Sequence, residues 1–197
     1  MNIRNCLRLI YSDLYRYYGK KDFKTLLRAY FLCPGFKFCF HFRLSTYLLN
    51  KSGFSRKLYI PYKFIFFDRF RFKFGFDIPP GTQIAPGFYI GHFGTIVVNG
   101  QAKFGHNCNI SQGVTVGIVN RGPNKGVPVF GDNVYIGPGA KIVGGIKIGD
   151  NVAIGANAVV TKDCPNGAVM VGIPAKVISN QGSDGYINNK TDFRIIT

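Results

Sequence analysis

Aliphatic or small residues recur at every sixth position between residues 78 and 160. The anchors are Ile78, Ile84, Ile90, Ile96, Ala102, Cys108 and Val114, then Phe130, Ile136, Ile142, Ile148, Ile154 and Val160. A period of six fits neither an α-helix nor a simple alternating strand. It fits a short strand and a turn, repeated, so that three units close one coil of about eighteen residues and stacked coils share one core. The pattern predicts a β-helix over residues 76–178.

The two series of anchors are out of phase. Six residues after Val114 comes Asn120, whereas the next anchor is Phe130. The intervening segment, NRGPNKGVPV, is rich in Gly, Pro and Asn, which favour loops. We therefore expect a loop extruded from the β-helix at residues 120–129, and inserted loops of this kind often carry function.

Residues 1–75 follow a helical period instead. Apolar residues fall at helical spacing in two runs, with breaks at Gly19 and Pro34. The runs are Leu7, Ile10, Leu14 and Tyr17, then Phe23, Leu26, Leu27, Tyr30 and Phe31. Locally, the alternation of Phe70, Phe72 and Phe74 with basic residues predicts a strand with one buried face. The polar segment 179–197 is expected to be a loose tail.

Charge is distributed unevenly between these regions. The net charge is +16, and residues 1–75 hold 16 of the 25 Lys and Arg residues but only three acids. Such a balance favours anionic partners, namely nucleic acid, anionic lipid or a phosphorylated cofactor. Because these cations are mixed with aromatic residues, peripheral contact of residues 1–75 with a membrane is one hypothesis. Packing of the same aromatics between helices is the other.

The five cysteines show no CxxC or metal-ligand spacing, and no cleavable signal peptide is evident. We interpret them as reduced thiols of a cytoplasmic protein, with the inner face of the membrane as the expected site of any peripheral contact. The chain has no Glu, so a catalytic carboxylate inside the chain must be an Asp. No apolar run is long enough to predict a membrane-spanning helix.

Four motifs give a family resemblance over Asp77–Ile178. They are FDIPPGTQI, IGHFGTIV, NISQGVTVG and VGIPAKVI, in this order. This part of the chain resembles the catalytic domain of serine O-acetyltransferases and the related capsular and exopolysaccharide O-acetyltransferases. The resemblance implies a left-handed parallel β-helix, a homotrimer, and acetyl-CoA as co-substrate in the groove between neighbouring β-helices, with no metal.

His92, in IGHFGTIV, occupies the position of the family's catalytic histidine. Histidine suits the removal of a proton from a hydroxyl because its ordinary pKa lies near neutral pH. Asp77 matches the aspartate that orients this histidine, and its spacing from His92 puts it on the neighbouring coil. His41 lies in the aromatic helical region, and His106 at a turn of the adjacent coil has no assigned role.

The resemblance also implies a set of residues that bind the cofactor. Gly117 lies at the mouth of the loop, where the resemblance places the acetyl end of acetyl-CoA. Its backbone N–H is a candidate for stabilising the oxyanion of the tetrahedral intermediate. Ala140 and Ala158 are the small residues beside the pantetheine, where larger side chains would obstruct the groove. Lys162 and Lys176 are candidates for the phosphates of CoA, with a solvated surface charge as the alternative for each.

Two departures from the serine acetyltransferase pattern bear on the acceptor. An aspartate that holds the serine amine is replaced by Gly91, and an Arg-His pair before Pro128 is replaced by Gly126 and Val127. None of these three side chains can pair with a charge. The sequence therefore favours a sugar hydroxyl in capsule or exopolysaccharide synthesis as the acceptor, with serine acetylation in cysteine biosynthesis as the alternative.

Two other functions are less well supported. A basic aromatic N-terminus could stack on nucleic-acid bases, but no RNA- or DNA-binding motif is present, so no nucleic-acid partner is expected. A zinc carbonic anhydrase of hexapeptide type needs three histidine ligands. The predicted β-helix contains only His92 and His106.

Overall fold

The computed structural model describes residues 2–192, with the backbone alone at positions 54 and 55. The N-terminal part is helical, as predicted. It comprises α1 (Ile3–Tyr18), α2 (Phe23–Leu32), α3 (Pro34–Leu49), α4 (Gly53–Lys57), α5 (Tyr59–Tyr62), a π-helical turn (Lys63–Phe67) and α6 (Asp68–Phe74). Gly19 ends α1 with a left-handed backbone at φ 65°, and Pro34 begins α3, where a missing N–H costs no hydrogen bond.

Residues 76–179 form a parallel β-helix, which confirms the predicted fold class. The strands of the first sheet are β1 (Phe76–Asp77), β4 (Ile96–Val98), β7 (Thr115–Gly117), β10 (Lys141–Val143) and β13 (Val159–Val160). The second sheet comprises β2 (Gln83–Ile84), β5 (Lys103–Phe104), β8 (Val129–Phe130) and β11 (Lys147–Ile148). The third contains β3 (Tyr89–Ile90), β6 (Asn109–Ile110), β9 (Tyr135–Ile136), β12 (Ala153–Ile154), β14 (Val169–Gly172) and β15 (Ala175–Ser179).

Every hexad anchor lies in the core of this β-helix. All of them are buried, and neighbouring strands pair in register, for example Val116 with Ile142 and Ile142 with Val160. The rings of Phe104 and Phe130 stack with their centroids 4.5 Å apart. The last strand, β15, turns back antiparallel on β14 and ends the third sheet.

The predicted loop lies between β7 and β8, but it does not project freely. Val119 and Gly126 form an antiparallel bridge across it. The side chain of Asn124 donates to the carbonyl of Thr161 at 2.9 Å, which ties the loop to a later coil. The loop is therefore held against the corner between the first and second sheets.

A buried ion pair joins the helical region to the β-helix. Arg43 of α3 donates to both carboxylate oxygens of Asp13 in α1, at 2.8 and 3.0 Å, and also to the carbonyls of Ile84 and Ala85. Asp13 in turn accepts the backbone N–H groups of Gly87 and Phe88. Both charged side chains are nearly inaccessible to solvent, so their hydrogen bonds must replace hydration.

The expectation of a strand at residues 70–74 was wrong. These residues lie in α6, with Phe70 stacked 4.7 Å from His41 while Phe72 is exposed. A helix that carries aromatics on several sides produces the same short alternation as a half-buried strand. The helix continues to Phe74 and ends at Gly75, whose backbone is left-handed at φ 72°. Residues 70–74 are therefore helical.

Residues 179–192, the described part of the predicted tail, are not loose, so this expectation was also wrong. Ser183, Ile187 and Thr191 are buried, because the tail runs back along the corner between the second and third sheets. There it contacts asparagines that stack from coil to coil, with Asn107 donating to Asn133 at 3.1 Å and Asn133 to Asn151 at 3.0 Å. Residues 193–197 of the predicted tail lie outside the described residues.

Candidate active site

His92 lies on the corner that leads from the third sheet into the first. It follows β3 and precedes β4, and its side chain is exposed. A corner of a β-helix places a side chain outside the core while the adjacent strands fix its backbone. The imidazole is thus open to solvent and to any substrate bound at this corner.

A cavity of about 320 Å³ opens beside His92. Its walls come from α1, from the outer face of the third sheet, and from the tail. The aromatic lining residues are Tyr17, Tyr89, Tyr135 and Tyr186. The polar ones, besides His92, are Arg16, Asn109, Ser111, Asn188 and Asn189.

Hydrogen bonds and ring contacts hold this lining in place. Arg16 donates to the carbonyls of Gly87 and Asn188 and to the side chain of Asn109, at 2.7 to 3.0 Å. Burial lowers the pKa of Arg16 to about 10, so the guanidinium remains charged at neutral pH. The rings of Tyr135 and Tyr186 stack at 4.6 Å. The cavity is therefore a preorganised site with one buried cation.

Asp77 lies on the coil next to His92, as its spacing predicts. It ends β1, where it pairs with Val97 of β4, the strand that His92 precedes. Its carboxylate accepts a hydrogen bond from Arg71 at 2.6 Å, and among residues 2–192 no hydrogen bond joins it to His92. An orienting role for Asp77 stays a prediction, and it requires the carboxylate to turn from Arg71 towards the imidazole.

We expect Asp77→Asn to reduce turnover by less than the loss of His92 itself, because an orienting group does not take the proton. Steady-state release of CoA thiol at saturating substrate concentrations measures the reduction.

Asp132→Asn is the matched control, since Asp132 accepts from another histidine, His106, at 3.0 Å. That control should leave the turnover rate unchanged. A loss in Asp77→Asn as large as that in a His92 variant, together with a lower melting temperature, would show that Asp77 is structural.

The other two histidines lie away from this corner. His106 is on the corner between the second and third sheets, between β5 and β6. His41 is buried between the hydroxyl groups of Tyr30 and Tyr62, at 3.0 and 2.7 Å. Burial lowers the pKa of His41 to about 4, so this imidazole is neutral at physiological pH and is part of the helical core.

The comparisons with known proteins point to one family. A family model described as bacterial transferase hexapeptide (six repeats) matches residues 128–162. The serine acetyltransferase of Synechococcus elongatus is 42% identical over 108 residues, which are 55% of this chain and 44% of that protein. That of Staphylococcus aureus is 41% identical over 112 residues, 57% of this chain and 53% of that protein.

Solved structures match over more of both chains. Neisseria gonorrhoeae serine acetyltransferase in complex with serine matches with a TM-score of 0.71 and 30% identity, over 88% of this chain and 69% of that chain. The chain belongs to the hexapeptide-repeat transferase family. Brucella abortus serine acetyltransferase in complex with coenzyme A matches with a TM-score of 0.75 and 25% identity, over 91% and 70% of the two chains. This chain spans about half the length of the curated relatives it matches, 44% and 53%.

The residues predicted to bind the cofactor of this hexapeptide-repeat transferase are spread over the β-helix. Gly117 ends β7, four residues after Gly113, which lies at the corner of the coil next to that of His92. Lys162 and Lys176 are exposed. The side chains of Ala140 and Ala158 are fully buried and face the core, so enlarging them would disturb the packing of the coils rather than a groove. Cofactor contacts by Gly117, Lys162 and Lys176, and by the backbone at Ala140 and Ala158, stay predictions.

Several lining residues of the hexapeptide-repeat transferase were not predicted from the sequence. Arg16 and Tyr186 lie far from His92 in the chain, and only folding brings them together. Gln112 lies on the corner of the coil next to Gly94, and its buried amide oxygen has no hydrogen-bond partner among the described residues. An unpaired buried acceptor favours a ligand contact at this corner. Gln112 is part of the NISQ motif, but the sequence assigned it no role.

Proposed function

We propose that this hexapeptide-repeat transferase is an acetyl-CoA-dependent O-acetyltransferase with His92 as its general base. The observation that carries the proposal is the position of His92, an exposed imidazole at the mouth of a preorganised polar cavity. A cavity of this size accommodates a small hydroxylated acceptor beside the base. Relatives named serine acetyltransferase support the same class of reaction.

The proposed reaction is a direct transfer. His92 removes the proton from the acceptor hydroxyl while the hydroxyl oxygen attacks the thioester carbonyl carbon of acetyl-CoA. The tetrahedral intermediate then collapses as the C–S bond breaks, and the imidazolium returns its proton to the departing CoA thiolate. The products are the O-acetyl ester and free CoA, with His92 restored to its neutral form.

Serine is the first candidate acceptor. The curated relatives reported above are serine acetyltransferases, and the gonococcal structure holds serine. Arg16 supplies a cation in the cavity, with three of its five N–H groups already used, so two remain for the carboxylate of an amino acid. Among the described residues, however, the cavity lining contains no carboxylate for the ammonium group.

A sugar hydroxyl is the second candidate, and the missing carboxylate favours it. A neutral polyol needs no counter-charge, and the amide groups of Asn109, Asn188 and Asn189 both donate and accept. The tyrosines offer flat apolar faces with polar tips, which suit a ring that bears hydroxyl groups. The comparisons do not support a sugar acceptor, and acceptor assays distinguish the two candidates.

We expect wild-type protein to turn over L-serine with a high KM, and Gly91→Asp to lower that KM about ten- to a hundredfold. A charge-assisted hydrogen bond contributes roughly 1.5–3 kcal/mol. A Cβ on Gly91 would have the Tyr89 ring as its nearest neighbour, at 3.4 Å, so the position has room. Release of free CoA thiol, with serine and a panel of sugars as acceptors, measures both.

Gly91→Ala controls for the added methyl group and should leave the KM for serine near the wild-type value. Turnover of a sugar, with no turnover of serine by either wild type or Gly91→Asp, would select the second candidate. Hydrolysis of acetyl-CoA without any acceptor dependence would contradict the proposed transferase activity altogether.

The proposed cofactor site lies between two copies of the chain. The first sheet exposes Val97, with Phe93 before it and Ile118 beyond β7, an apolar strip that supports contact between β-helices. We propose a homotrimer with acetyl-CoA in the groove between neighbouring copies, the acetyl group near Gly117 and the phosphates near Lys162 and Lys176. The mass of the native protein by light scattering tests the trimer.

A further inference from the structure

The helical segment from α4 to α6 carries an exposed apolar stripe. Its members are Ile60, Phe64, Ile65 and Phe72, with exposed fractions of 61, 67, 60 and 74%. Spacings of four and eight residues keep three of them on one side of the helical segment, and the π-helical turn at Lys63–Phe67 lies in the middle. A patch of large apolar side chains this exposed indicates an interaction surface.

The opposite side of this segment fixes the stripe in place. Phe67 is completely buried, and the hydroxyl of Tyr62 bonds to His41 at 2.7 Å. Phe70 stacks on the same histidine with a centroid distance of 4.7 Å. The helical segment is therefore packed against α3 through one side, so the stripe must face outward.

The charges around the stripe have one sign. Arg56, Lys57, Arg69 and Lys73 are all exposed. The single acid between residues 53 and 74 is Asp68, which is buried and paired with Lys63 at 2.5 Å and with Arg71 at 3.6 Å. The outer surface thus presents cations and apolar groups, while its only carboxylate is neutralised from within.

We propose that this surface binds the interface of a membrane that contains anionic lipids. Ile60, Phe64 and Phe72 enter the boundary between headgroups and acyl chains, and the four exposed cations contact the headgroups. Each cation near an anionic surface strengthens the attraction, and the burial of apolar side chains adds to it. Across residues 2–192, no helix combines the length and apolar character needed to cross a bilayer, so the contact is peripheral.

A second copy of the chain fits this surface less well. If two such surfaces packed together, Arg69 and Lys73 of one copy would lie close to the same cations of the other. These like charges would repel each other in a contact that excludes water and supplies no acid to pair with them. An anionic lipid surface supplies the missing negative charge. The proposal does not depend on the identity of the acceptor or on the acetyl-transfer reaction.

Co-sedimentation of the full-length protein with lipid vesicles tests the proposal. We expect binding to phosphatidylcholine vesicles that contain phosphatidylserine, weaker binding at high salt, and little binding to pure phosphatidylcholine. The Phe64→Ser/Phe72→Ser double variant should bind at least about tenfold more weakly, since two interfacial aromatics are lost. Phe31→Ser is the matched control, because Phe31 is 69% exposed on α2, and it should bind like the wild type.

Three outcomes would overturn the proposal. They are equal binding by the double variant and the wild type, a loss of binding in Phe31→Ser instead, and absence of wild-type binding to the anionic vesicles. If the wild type does not bind anionic vesicles, a native mass of the double variant below that of the wild type would show that the stripe forms a contact between copies of the chain. An unchanged circular dichroism spectrum and melting temperature of the double variant would show that it is folded.

Discussion

Replacement of His92 by alanine is expected to reduce acetyl transfer by about 10²–10⁴-fold, the usual contribution of a general base. The imidazole is exposed, and no hydrogen bond to another described residue holds it, so its removal should not disturb the packing of the coils. The melting temperature and native mass should therefore match those of the wild type. Release of CoA thiol at saturating acetyl-CoA measures the loss.

His106→Ala is the control for this experiment. Both histidines lie on corners of the β-helix, but His106 is on the corner between the second and third sheets, where it bonds to Asp132. We expect that variant to retain turnover near the wild-type rate. Near-normal turnover in His92→Ala would remove His92 from the mechanism, and equal losses in the two variants would indicate a structural effect.

Replacement of Arg43 by methionine is expected to lower the free energy of unfolding by about 3–5 kcal/mol. The substitution leaves the Asp13 carboxylate buried without its ionic partner, and removal of one member of a buried pair carries this cost. The contacts of Arg43 with the carbonyls of Ile84 and Ala85 are lost as well. Urea denaturation followed by circular dichroism measures the change.

Arg56→Met provides the matched control, because Arg56 is exposed and makes one hydrogen bond, to Leu49 at 3.3 Å. The free energy of unfolding of Arg56→Met should stay within about 0.5 kcal/mol of the wild-type value. The double variant Asp13→Leu/Arg43→Met should be more stable than the sum of its single variants implies, since no unpaired charge remains. A cost below about 1 kcal/mol for Arg43→Met would show that the ion pair does not hold the two regions together.

The hexad anchors could be predicted because their spacing is a direct consequence of local geometry. Each short strand with its turn brings every sixth residue back to the inward-facing position, independently of the rest of the molecule. The two helical runs could be predicted for the same reason. The surfaces against which these helices pack could not. Leu7 and Phe31 fall on predicted apolar faces and are nevertheless exposed, since burial depends on which surfaces meet.

The cavity and the tail could not be predicted from local patterns. Arg16 and Asn188 are 172 residues apart and meet through a single hydrogen bond of 3.0 Å. The polar composition of the tail is typical of a solvated segment. Here the corner asparagines satisfy its backbone groups, as when the side chain of Asn107 accepts from the N–H of Thr191 at 3.0 Å. Hydrogen bonding of this kind leaves no hydrophobic signal in the sequence.

The path of the tail also affects how the molecule unfolds. Stacked repeats touch only their neighbours, so an isolated solenoid can fray from either end, one coil at a time. Here Ser183 bonds to Asn151 and Asn133, Asn109 to Tyr186, and Arg16 to Asn188. One strand of chain thus spans successive coils and reaches the first helix. The tail thereby couples these coils to α1, and partial melting of one of them releases contacts that the tail makes between them.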